Sequence, residues 1–176
     1  MAQRYVALLR AIAHVPMLPL RDSLAELGLS DVESHGMSGN LMFSASEGSA
    51  AELETHIGKR LETAAIIRNA SQLAKVVKAN PFAGRAGASI YFLAKPPSAA
   101  KRKEFATLEF EDPVPVLSGK TVFIVHPTRL KGRKGIFDFE RFLGVAATGR
   151  TARIVERILA LMSGAAKTPQ KPARPK

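Results

Sequence analysis

The spacing of hydrophobic and polar positions changes often enough along this chain to mark its elements. From Arg4 to Ile12 the apolar residues Tyr5, Val6, Leu8, Leu9 and Ile12 fall on both faces of an extended segment, as in a strand inside a sheet. Pro16 and Pro19 then bracket a loop. Leu20, Leu24 and Leu27 take helical spacing up to Gly28, which predicts a helix over 20–27 with Pro19 in its first turn and Gly28 ending it. Strands are predicted over 31–37 and 41–45, joined by the turn Ser38-Gly39-Asn40. A helix over 49–63 follows, with Ser49 as N-cap, Glu52 as its capping-box partner and Leu53, Ile57 and Leu61 as the buried stripe. A strand over 64–68 closes the unit. The order is β-α-β-β-α-β across residues 4–69, the split β-α-β or ferredoxin-like unit.

The second half echoes the first in element order, without a visible repeat in its residues. Ser71 is expected to cap a helix reaching Ala79, with Leu73, Val76 and Val77 inward and Pro81 ending it. A short apolar strand spans 89–94, and Pro97 and Ser98 open a basic helix over 99–107. Segments 114–117 and 121–126 form a hairpin across Ser118-Gly119-Lys120. Helices over 137–143, stopped by Gly144, and over 151–162 complete the pattern, the last with Ile154, Val155, Ile158, Leu159 and Met162 on one side. The expected architecture is α+β: two ferredoxin-like halves, 4–69 and 70–163, forming one globular unit over 1–163, with mainly antiparallel sheets. The segment 164–176 has no large apolar residue and carries Lys167, Lys171, Arg174 and Lys176, which reads as a disordered basic tail.

Composition narrows the possibilities. Hydrophobic residues make up 46% of the 176, enough for a sizeable core. The chain has no Cys, which removes disulfides, thiolate nucleophiles and Cys-ligated metals and suits a reducing cytoplasm. The apolar run at Tyr5–Leu9 is cut by Arg10, too short for a signal peptide, and no stretch approaches the roughly 20 apolar residues of a membrane span. Net charge is +11 and uneven: residues 1–99 contribute +2 and residues 100–176 contribute +9. Such asymmetry points to a polyanionic partner, nucleic acid or another, or to a solvated face with a solubilising tail.

Motifs with catalytic overtones resolve into turns. Ser118-Gly119-Lys120-Thr121 resembles the end of a phosphate-binding loop, but Val114 stands where a Gly is needed and the segment joins two strands. Gly36-Met37-Ser38-Gly39-Asn40 approximates a nucleophile elbow, yet its last position is Asn40 and its context is again strand to strand. His14, His35, His56 and His126 form no ligand pair, and no cofactor is expected. Glu109, Glu111 and Asp112 read as a solvated acidic loop. The sharpest functional pattern is Arg129-Leu130-Lys131-Gly132-Arg133-Lys134-Gly135, four cations in six residues with glycines that allow close approach to a phosphate. Lys101-Arg102-Lys103 and Arg150, Arg153 and Arg157 join this patch if the fold brings them together. Aromatic residues are only 6%, so nucleic-acid binding is expected to be non-specific and salt-sensitive.

Arg4-Tyr5-Val6-Ala7-Leu8-Leu9-Arg10, Val15-Pro16-Met17, Leu27-Gly28, Ser38-Gly39-Asn40, Ala79-Asn80-Pro81-Phe82 and Leu143-Gly144-Val145-Ala146-Ala147-Thr148 with Arg150 occur in an order that resembles a bacterial family, domain-of-unknown-function family number 1697. The resemblance covers about residues 4–162. It implies two intertwined ferredoxin-like subdomains and no particular activity. Two features depart from the family. Ala11-Ile12-Ala13-His14 stands at the start of a loop that is glycine-rich in relatives, and Arg150-Thr151-Ala152 replaces their Arg-Asn-Trp. Arg10, Ser38, Asn40, Asn80 and Arg150 match the family pattern and define an alternative site, in which the arginines clamp the carboxylate or phosphate of a small ligand.

Overall fold

The computed structural model describes residues 2–10 and 16–164. The loop containing His14 and the basic tail after Gly164 therefore lie outside the described residues. The first unit runs β1 (Gln3–Leu9), α1 (Met17–Glu26), β2 (Ser30–Ser34), β3 (Asn40–Ala45), α2 (Ala50–Leu61) and β4 (Ala65–Asn69). After α3 (Ala70–Ala79) the second unit runs β5 (Ala88–Leu93), α4 (Ala99–Ala106), β6 (Val116–Ser118), β7 (Thr121–Val125), α5 (Phe139–Leu143) and β8 (Ala147–Thr151), and α6 (Ala152–Met162) follows. The two sheets have the orders β2-β3-β1-β4 and β6-β7-β5-β8. All pairings are antiparallel, and each sheet has its unit's first strand between the third and the fourth. That is the ferredoxin-like order, twice.

Alternation along the strands sorts the core into three clusters. In the first sheet Tyr5, Ala7, Leu9, Leu41, Phe43 and Ile67 face α1 and α2. In the second, Leu93, Val122 and Ile124 face Phe105 of α4 and Phe139 and Leu143 of α5. The opposite faces, with Val6, Leu8, Met42 and Ile66 from one sheet and Ile90, Phe92 and Phe123 from the other, share a central cluster with Leu73 of α3 and Val155 and Ile158 of α6. Burial on both faces explains why β1 and β5 read as continuous apolar runs.

Capping follows the sequence in most places and corrects it in one. Ser49 and Glu52 form the expected capping box at α2. At α3 the N-cap is Asn69, reciprocally bonded with Gln72, instead of Ser71. β4 runs directly into the helix, so its last residue takes the cap and Ser71 falls inside the first turn. The first helix begins at Met17, earlier than expected, and ends before Leu27, which is exposed. The second strand is shorter than expected, leaving Met37 exposed in the hairpin loop, and Val114 lies outside β6. The largest omission is β8. Ala147-Thr148-Gly149-Arg150-Thr151 lacks a large apolar residue, because its Gly149 lies under the ring of Tyr91, where an added Cβ would sit 3.0 Å from the ring.

Gly87 shows how tightly one turn is built. It has φ +78°, and a Cβ there would lie 2.8 Å from the His126 carbonyl oxygen. The Gly87 carbonyl in turn accepts the His126 N–H at 2.9 Å. Gly87→Ala is expected to cost at least about 2 kcal/mol, from left-handed strain plus the backbone clash. Gly28→Ala, at the same φ but in open space, should cost about 1 kcal/mol. Urea midpoints of the two variants test the difference, and equal midpoints would refute the clash.

Candidate functional site

The two groups of residues singled out in the sequence sit in different surroundings. Arg150 is buried on the central face of β8, and its five N–H donors are all taken. Nε donates to Asn40 Oδ1 at 2.6 Å, and Nη1 donates to Thr148 Oγ1 and the Gly149 carbonyl, both at 2.7 Å. Nη2 donates to the Leu9 carbonyl at 2.9 Å and to the Ser38 carbonyl. No carboxylate is among these partners, and burial lowers the Arg150 pKa to about 10, which leaves it charged at neutral pH. Ser38 contributes its carbonyl, while its side chain is exposed. Asn40 also closes its hairpin, donating from Nδ2 to the His35 carbonyl at 2.9 Å. Arg10 forms a two-pronged pair with Glu140 at 2.8 and 2.6 Å. Asn80 acts locally, its Oδ1 accepting the Phe82 N–H at 3.0 Å. Arg10, Ser38, Asn40 and Arg150 thus gather where the end of β1 meets β8, with their strongest donors engaged inside the chain.

Arg68 mirrors Arg150. It pairs in register with Val6 of β1, as Arg150 pairs with Ile90 of β5. Its Nη2 donates to the Leu93 carbonyl at the end of β5, at 3.1 Å, as Arg150 donates to Leu9 at the end of β1. Each is followed by the N-cap of the next helix, Asn69 or Thr151, and then by Ala. The halves therefore exchange arginines across a pseudo-twofold junction. Arg68 additionally has Glu54 at 3.4 Å.

The basic loop builds a different surface. Its first part is held against the acidic segment: the Glu111 N–H donates to the Arg129 carbonyl at 2.9 Å and the Lys131 N–H to the Glu109 carbonyl at 2.8 Å. Arg129 and Lys131 therefore have carboxylate-bearing neighbours across a short antiparallel pairing. Arg133 and Lys134 continue past it into an open groove of about 460 Å³, where they meet Lys101 of α4 and Arg141 of α5. Arg133, Lys134 and Arg141 are exposed and make no ion pair among the described residues. The groove's one acidic residue, Asp138, caps α5 by accepting the Arg141 N–H at 3.0 Å. Leu130, Ile136, Phe137 and Phe142 also line the groove. The ammonium of Lys101 lies 4.7 Å from the Phe142 ring centroid and also pairs with Glu104 at 2.9 Å.

Of the other cations proposed for this patch, Lys101 joins it, whereas Arg150 is buried elsewhere. Arg153 and Arg157 line a separate groove beside His35. Burial and the nearby Arg157 hold His35 below its usual pKa. Arg141 and the apolar lining escaped sequence reading. Arg141 sits on a short helix between Glu140 and Phe142, outside the basic run, and the phenylalanines read as core. No helix among the described residues is long and apolar enough to cross a membrane.

Comparisons with known proteins agree with this architecture. Among solved structures, the chain is similar to conserved bacterial protein SP0830 from Streptococcus pneumoniae, with a TM-score of 0.66 and 20% sequence identity, over 93% of this chain and 99% of that one. At that identity the likeness establishes the fold. No curated protein matches the chain. The family described as protein of unknown function (DUF1697) matches residues 2–123, more than half of the sequence, and the chain belongs to that family.

Proposed function

We propose that the chain is a cytoplasmic module that binds polyanions such as nucleic acid through the groove formed by α4, α5 and the segment 129–137. The observation that carries this reading is the meeting of Lys101, Arg133, Lys134 and Arg141 from separate segments around one acid already committed to a helix cap. Cations so placed neutralise phosphates and release counterions, a source of affinity that carries no base preference. Arg129 and Lys131 extend the field but share it with Glu109 and Glu111. The +9 charge of residues 100–176 adds long-range attraction, and the lack of Cys supports a reducing compartment.

The test is anisotropy titration of a labelled oligonucleotide at about 50 and 200 mM salt. It compares the full chain, a chain ending at residue 166, and the full chain with Arg133, Lys134 and Arg141 all changed to Ala. Binding should persist in the shortened chain. The triple variant should lose at least about tenfold in affinity and show a shallower salt slope, by about 2 to 3. Unchanged affinity in the triple variant, or binding that disappears with the tail, would refute the assignment to this groove.

A further inference from the structure

We infer that the groove selects single-stranded nucleic acid over duplex. The inference rests on the polyanion reading above and adds a second kind of contact to it. A surface that reads phosphates alone needs only a polar floor. Here the floor beneath Arg133, Lys134 and Arg141 is apolar: Ile136 is 55% exposed, and Phe137 and Phe142 are half-buried beside it. An exposed branched apolar residue next to partly open rings loses solvent contact only when something apolar covers it.

Bases of a duplex are stacked inward and cannot reach such a floor, whereas a single strand can turn a base onto it. The charge around the floor suits the phosphates on either side of that base. Phe142 provides the platform. Its ring packs against Phe105 and Phe137, with centroids at 6.3 and 5.3 Å, which restrains its plane. Lys101 lies over the ring, and its flexible stem lets a base displace the ammonium toward a phosphate. A volume of about 460 Å³ lies within the usual range for small-ligand sites, and a base with its sugar is a ligand of that class. Sequence alone missed this, because sparse aromatics argued against stacking. In the fold, Phe105, Phe110, Phe137, Phe139 and Phe142 gather at one end of the second unit.

The experiment titrates the full chain against a labelled twelve-nucleotide single strand and against the same strand in a duplex, at equal salt. Two variants accompany it. Phe142→Leu keeps an apolar side chain and removes the ring, and Ile136→Ser alters a side chain too exposed to endanger folding. Circular dichroism melts confirm that both are folded. The single strand should bind at least about tenfold more tightly than the duplex. Each variant should lower single-strand affinity several-fold, about fivefold or more for Phe142→Leu as for loss of one stacking ring, with the salt slope and duplex affinity unchanged. Equal or tighter duplex binding, or full single-strand affinity in both variants, would overturn the inference and leave the polyanion reading standing. Absence of binding to either form would overturn both.

Discussion

Replacing Arg150 by Met is expected to remove about 3–5 kcal/mol of stability, a large share of what a domain of this size possesses. Met reproduces the aliphatic stem and ends short of the guanidinium, so apolar packing is largely kept and the main loss is polar. It comes from the acceptors left behind. Asn40 Oδ1, Thr148 Oγ1 and the carbonyls of Leu9, Ser38 and Gly149 all receive N–H bonds from one guanidinium. Each acceptor that stays buried without a donor costs about 1–3 kcal/mol, and water entering the junction recovers only part of that. Arg150→Lys restores the charge but supplies three donors for five acceptors, so it should fall between Met and the parent chain. Far-UV circular dichroism in urea gives the measurement, since the chain has no Trp to serve as a fluorescent probe. The expected shift in melting temperature for the Met variant is roughly 10 °C. If the Met variant unfolds within 1 kcal/mol of the parent, or if Lys is no better than Met, the network is not what holds Arg150 in place.

The same arginine marks what could be read in the sequence. Strands β1, β3, β4, β5 and β7 announce themselves by branched and aromatic runs, and Ser49 with Glu52 announces α2 through a purely local signal. These elements carry their own patterns, and the ferredoxin-like order of the first half follows from them. β8 carries no such pattern. Its residues are small or polar because each meets a particular partner: Gly149 the Tyr91 ring, Thr148 the Leu9 carbonyl at 3.2 Å, and Arg150 the network above. Those partners lie up to 141 residues away, so no window of sequence contains the reason for the strand. The repeat of Arg, N-cap and Ala at 68–70 and 150–152 is hidden for the same cause. Two residues in common and one shared capping role are invisible until register aligns β4 with β8. The candidate groove divides the same way. Its loop cations are contiguous and were legible. Lys101 was legible as a candidate whose approach the fold had to supply, whereas Arg141 and the phenylalanine floor carry no local signal and join the loop cations only through folding.

Phe92→Ala should be nearly as damaging, at about 3–5 kcal/mol, and its effect should spread through both halves. Phe92 is wholly buried on the central face of β5 and shares a cluster with Val6, Leu8, Met42 and Ile66 of the other sheet. α3 and α6 fill the space between the sheets through Leu73, Val155 and Ile158. A cavity opened there removes contacts from a layer that neither unit owns. We propose that residues 1–163 unfold as one unit, with 4–69 and 70–163 as its halves, and this substitution tests it. Amide exchange in β1 and β5 should accelerate by similar factors in Phe92→Ala, because opening either strand exposes the shared cluster. Acceleration confined to the second sheet, or two separate transitions in urea, would mean that each half carries its stability alone. The arginine exchange argues for the first outcome. With Arg150 bonded to the end of β1 and Arg68 to the end of β5, neither sheet can separate from the other without stranding a buried guanidinium and the carbonyls it serves.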